Sequence, residues 1–184
     1  MVNARFTEHM IEILKSLKNK TFKSYECHKT GKNSAYGKCR LNMGTFSIDL
    51  SNSIHELPFF GAFPTEDVPF FTCEYVDKEI SFVPCERNAT AHVYMIDERI
   101  KSVEIINDEI DINHGEYEIS IDQALVIRTK DNVYSFSKGW MFSELIYIHS
   151  DRFNYKVYDL NKVKDDWSGN GKDIISVKRT TIIL

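Results

Sequence analysis

The chain has 184 residues, 42% of them apolar and 27% charged, with a formal net charge of −4 at pH 7. A chain of that length buries about 70% of the surface it exposes when unfolded, so a core forms without covalent staples. The composition excludes wholesale disorder, a fibrous repeat and a low-complexity tract.

The apolar runs fall far short of the roughly 18 residues that span a bilayer. The first ten residues lack the basic-then-apolar layout of a secretion signal. A cytoplasmic protein without membrane contact is therefore expected. In that compartment Cys27, Cys39, Cys73 and Cys85 read as reduced thiols that pack as small hydrophobes. No Cys-x-x-Cys or His-x-x-x-His pair occurs, so neither a metal nor a cofactor is expected.

In chain order, a helix comes first, over 4–18. Met10, Ile13, Leu14 and Leu17 fall on one stripe, Phe6 extends it back, and Thr7 or Asn3 can cap its start. Short alternating segments follow. Ala35 to Leu50 reads as a hairpin around Asn42-Met43-Gly44, and Val68–Val76, Glu79–Val83, Ala89–Ile96 and Lys101–Ile106 read as strands.

Gln123 to Lys138 is the clearest hairpin: Leu125 and Ile127 oppose Tyr134 and Phe136 across a Lys130-Asp131-Asn132 turn. Trp140 to His149 is a further strand, with Gly139 marking a bulge. A short helix over 159–167 starts at Asp159 and carries Leu160, Val163 and Trp167 as its stripe; a final strand covers 173–183. The fold expected is one α+β domain, 1–184. Its β-rich part, 21–158, is mainly antiparallel and forms a twisted sheet, a sandwich or a partly open barrel.

No nucleophile elbow, dinucleotide loop, phosphate loop or His-Glu-x-x-His motif is present, so no catalytic residues are assigned and an enzyme is not expected. Charge is instead segregated along the chain. Between 15 and 40 stand eight bases, Lys15, Lys18, Lys20, Lys23, Lys29, Lys32, Lys38 and Arg40, against the single acid Glu26. Tyr25 and Tyr36 are interleaved, and clustered bases with aromatics are the footprint of phosphate-backbone contact.

Between 97 and 122 stand nine acids and two bases, with Glu104, Asp108, Glu109, Asp111, Glu116 and Glu118 as the candidate acidic face. A third feature is Pro58-Phe-Phe-Gly-Ala-Phe-Pro64. There Phe59, Phe60 and Phe63 form either an interface anchor or the plug of one end of the β-structure.

In general character the chain is small, mildly acidic, rich in Lys, Ile and Asn and free of catalytic motifs. In this it is similar to phage-borne anti-defence proteins, anti-CRISPRs among them, and to toxin-immunity proteins. The likeness implies an inhibitor that binds a protein partner such as a nucleic-acid enzyme. The leading expectation is thus a non-enzymatic binder that docks through separated charged surfaces, with nucleic-acid contact open through the basic segment. The alternative is a small enzyme or ligand-binding barrel that gathers His55, His92, His149, Cys73 and Asp122 into one pocket.

Overall fold

The computed structural model describes residues 1–59, 64–77, 79–168 and 171–184. Its elements are β1 (Val2–Ala4), α1 (Glu8–Lys15), β2 (Thr21–Gly31), β3 (Ser34–Asn42), β4 (Ser47–Pro58), β5 (Thr65–Val76), β6 (Ala91–Ile112), β7 (Tyr117–Thr129), β8 (Val133–Lys138), β9 (Leu145–Asp151), α2 (Leu160–Trp167) and β10 (Ile175–Ile183). Strand dominates, with two short helices. The sheet is antiparallel except for the pairing of β1 with β7.

Both helices start where capping chemistry puts them. Thr7 Oγ1 accepts the Met10 amide, and Asp159 accepts the Asn161 and Lys162 amides. The first helix is shorter than its 4–18 stripe implied. Val2–Ala4 instead pairs in parallel with Ile119–Ile121, and the Phe6 amide donates to Asp122 Oδ2 at 2.7 Å. Ile13, Leu14 and Leu17 then bury against the body of the protein.

The antiparallel ladders close on themselves. β6 pairs with β7, β7 with β8, β8 with β9, β9 with β3, β3 with β2 and β2 again with β6, making a six-stranded ring. Its interior holds Phe22, Leu41, Val103, Ile105, Leu125, Ile127, Tyr134, Phe136 and Ile148. Phe22 meets Tyr134 edge-on at 5.5 Å, and Tyr25 meets Phe136 edge-on at 5.8 Å, so aromatic rings fill the middle. Closure removes the exposed edges that an open sheet would present.

Strand β7 is buried on both faces, because Ala124 and Val126 point outward and meet Tyr155 and Val157. Beyond β3, β4 and β5 extend the sheet as a long hairpin. A second apolar cluster lies around Trp167, Tyr117, Ile119 and Met141.

The expected hairpins around 42–44 and 130–132 both form, and Leu125↔Phe136 and Ile127↔Tyr134 are direct partners. At the first, Gly44 has φ +83° and its amide donates to Asn42 Oδ1. Three expectations need correction. The strand expected over Trp140 to His149 begins only at Leu145, because Trp140 to Ser143 forms a turn closed by the Ser143 amide on the Trp140 carbonyl. The segments 89–96 and 101–106 belong to one 22-residue strand, β6, which shifts register near Ser102 rather than breaking.

Glu79–Val83 is not a strand. Its Ile80 carbonyl accepts Arg40 Nη1 at 2.5 Å and its Phe82 ring faces the same guanidinium, so this segment folds over a buried charge instead of joining a ladder.

The ends of the ring are braced by forked ion pairs. Arg179 on β10 donates to both oxygens of Asp108 on β6 at 2.7 and 2.6 Å, and Asp108 is fully buried. Removing one member of such a pair strands the other without water. Arg179→Met should therefore lower the unfolding free energy by about 3–5 kcal/mol. Urea denaturation monitored by circular dichroism reads this, and a midpoint equal to that of the wild type would refute it.

Candidate functional site: a basic cleft at the barrel seam

The ring closes through a short seam. Ser34, Ala35 and Tyr36 of β3 pair with Tyr147, Ile146 and Leu145 of β9, and one backbone bond flanks them on each side, the Ile148 amide donating to the Asn33 carbonyl at 2.8 Å and the Gly37 amide to the Glu144 carbonyl at 3.1 Å. From Lys38 onward β3 pairs with β4 instead. The change of partner falls at Gly37, with φ +67°, where an added Cβ would sit 2.7 Å from Cys85 Sγ. Only glycine combines that backbone with that approach.

On the other side of the seam, residues 152–158 are strapped along β8. Ser135 Oγ donates to the Lys156 carbonyl and accepts its amide, and Ser137 Oγ accepts the Tyr158 amide. The strap and the tip of the β2–β3 hairpin leave two adjoining hollows, of about 190 and 330 Å³, which share Asn33, Ile148 and His149. The first is lined also by Tyr25, Cys27, Lys29, Lys32 and Tyr94, the second by Tyr147, Lys156, Tyr158 and Lys162.

Lys29, Lys32, Lys156 and Lys162 are exposed, and none is in an ion pair among the described residues. No carboxylate among the described residues lines either hollow. The nearby Asp151 side chain accepts the Phe153 and Asn154 amides, two bonds that hold its pKa below the usual carboxylate range. Tyr147 stands against Gly139, where an added Cβ would lie 2.5 Å from its ring. Gly139 thus makes room for a ring rather than marking a bulge.

The eight bases of the 15–40 segment do not form one patch. An eleven-residue β2 spans roughly 30 Å, which sends the bases before and after it to different regions. Lys18 and Lys20 sit at its start beside Arg99, Lys101 and Lys130, where Thr21 pairs with Arg99 and Asn19 bonds Ile100. Lys29 and Lys32 sit at the cleft. Between and beyond them, Lys15 pairs with Glu12, Lys23 with Asp97, and Lys38 with Asp49. Arg40 is buried and forked onto Asp49 at 2.7 and 3.0 Å, so it is a structural residue and not part of a surface.

The acidic candidates are divided between buried pairs and one exposed group. Glu104 and Asp108 are buried, paired with Arg128 and Arg179. Glu109 meets Lys178, Glu118 lies 3.8 Å from the N-terminal amine, Asp111 accepts the Gly115 amide, and Glu116 accepts Asn113. Glu109, Asp111 and Glu118 do share one shallow hollow, Asp111 lying directly opposite Glu118, but Lys178 and the N-terminal amine stand in it with them, and β10 lays Arg179 opposite Asp108.

Phe59 is half-buried among Tyr117, Phe142 and Trp167, where it helps close the second core cluster; Phe60 and Phe63 lie outside the described residues.

The scattered residues of the enzyme alternative do not meet. His149 lines the cleft, His55 stacks on Phe70 at 4.1 Å, and Cys73 is buried with its thiol toward the Met10 carbonyl. His92 is exposed on β6, and Asp122 anchors the Phe6 amide, burial raising its pKa. Cys27 and Cys39 face each other across β2 and β3; their mutual hydrogen bond lowers the Cys27 pKa, while burial raises that of Cys39.

What sequence reading missed is the second half of the cleft, Lys156 and Lys162 with Tyr147, although His149 beside them was named for the pocket of the alternative reading. They lie more than a hundred positions from Lys29 and carry no local signal beyond Lys beside Tyr. Searches against family models, curated proteins and solved structures find no match to this chain.

Beneath the cleft lies Lys138, fully buried, its amine donating to the Pro69 carbonyl at 2.5 Å and the Met141 carbonyl at 3.5 Å. Burial pushes its pKa from an ordinary 10.5 down to about 7. Between those two values the unfolded chain keeps a proton that the folded chain has lost, so stability rises with pH across that window.

Lys138→Met removes the titration. Its stability advantage over the wild type should be largest near pH 7 and shrink towards pH 10, by about 1.4 kcal/mol for each pH step of one. Thermal melts of both proteins across that range decide it; parallel curves would mean that the buried amine keeps its proton.

Proposed function

We propose that this protein is a non-enzymatic binder that docks on an anionic macromolecular partner through the seam cleft. By occupying its target it acts as an inhibitor. A phage anti-defence protein or a toxin-immunity protein is the concrete form of that reading.

The observation that carries it is the placing of Lys29 and Lys32 in one hollow and of Lys156 and Lys162 in the adjoining one, neither lined by a carboxylate among the described residues, on a protein of net charge −4. A local field opposite in sign to the whole molecule points to selection for a charged partner. The filled ring interior, with Phe22, Tyr134 and Phe136 at its centre, supports docking on the outside over a ligand in the lumen.

Charge-led association is screened within about 10 Å at 0.1 M salt. The protein should bind immobilised heparin at low ionic strength and elute over a narrow salt range. Lys32→Glu combined with Lys156→Glu should abolish retention, while Lys178→Glu, a substitution away from the cleft, should leave it. Passage of the wild-type protein without retention, or equal retention of all three proteins, would sink the reading.

A further inference from the structure

The cleft differs from a general cation patch in what stands beside its lysines. Tyr147 on β9 is 46% exposed, and Phe153 on the strap that carries Lys156 is 78% exposed. The Tyr147 ring lines the second hollow together with Lys156 and Lys162, while Lys29 and Lys162 lie over the Tyr94 and Tyr158 rings at 6.0 and 5.9 Å. Tyr147 is also held in place, because it stands against the bare backbone of Gly139.

A held, half-exposed ring beside several cations matches an unpaired polynucleotide, which offers a phosphate and a flat base at each step. The two hollows adjoin, and each is sized for a single nucleotide rather than for a duplex.

We infer that the ligand of the cleft is a single-stranded nucleic acid, its phosphates held by Lys29, Lys32, Lys156 and Lys162 and a base laid on Tyr147. This rests on the binder reading above and names its partner. All four cations are lysines, which contact phosphate as point charges and lack the planar fork that reads guanine. Recognition is therefore tolerant of sequence. An acidic protein would satisfy the lysines but leave the rings without a role.

The test is fluorescence anisotropy of a 5′-labelled twelve-nucleotide oligo-dT with the full chain. Four phosphate contacts on a single strand give a salt slope near −3, so affinity should fall roughly 50-fold between 50 and 200 mM salt. Lys156→Glu should flatten that slope, and Tyr147→Ala should weaken binding about tenfold while keeping the slope, as loss of one stacked base does. The positions are exposed, and unchanged melting curves confirm that the variants fold.

Poly-L-glutamate competing as well as the oligonucleotide, with no effect of Tyr147→Ala, would overturn the nucleic-acid inference and leave the charged binder standing. Thymidine monophosphate binding as tightly as the oligonucleotide would overturn the strand in favour of a free nucleotide. No binding of oligonucleotide, poly-L-glutamate or heparin would remove both readings together.

Discussion

The seam between β3 and β9 is the constraint on which the rest depends. Five of the six junctions of the ring are extended ladders, whereas this one has three residue pairs before its strands part. A ring that closes there buries its apolar interior without an exposed edge, and the early parting of the strands is what opens a hollow on the outer surface. Core and cleft are thus two consequences of one junction. The hollows adjoin the Ser34–Tyr147 end of the seam; at its other end Gly37, at a positive φ with the Cys85 sulfur against it, marks where β3 changes partner.

Charge is divided by burial. Carboxylates carried inward on β4 and β6 each meet a guanidinium: Asp49 meets Arg40, Glu104 meets Arg128, and Asp108 meets Arg179. Arginine suits these positions because its planar fork satisfies both carboxylate oxygens at once. Lysines that remain at the surface include some tied to single acids, as Lys23 is to Asp97, some grouped around Arg99 at the start of β2, and four at the cleft. The acidic run is thus split, with Glu104 and Asp108 buried in ion pairs and Glu109, Asp111 and Glu118 grouped at the surface.

Lys138 is the exception among the lysines. It sits under the cleft with its amine satisfied by two carbonyls and no carboxylate among the described residues bonded to it. Burial favours the neutral amine, which can donate its two hydrogens to those two oxygens, while the Asp166 charge favours the ammonium. Its length lets it tie β8 to the start of β5 across the base of the seam.

Local periodicity and turn chemistry determined much of this protein. The amphipathic stripes placed both helices, Asn42 to Gly44 and Lys130 to Asn132 placed two hairpins, and the pairing of Leu125 with Phe136 was legible because side chains alternate strictly along a strand. Charge counts also identified Lys29 and Lys32 as exposed bases. Tertiary structure alone decided which strands are neighbours, and therefore which charges meet. Arg179 cancels Asp108 across 71 positions, and Lys156 joins Lys29 across 127. The reason is physical: hydrogen-bonded ladders fix contacts by register, and nothing in the local sequence around β10 or the 152–158 strap encodes the strand each will lie against.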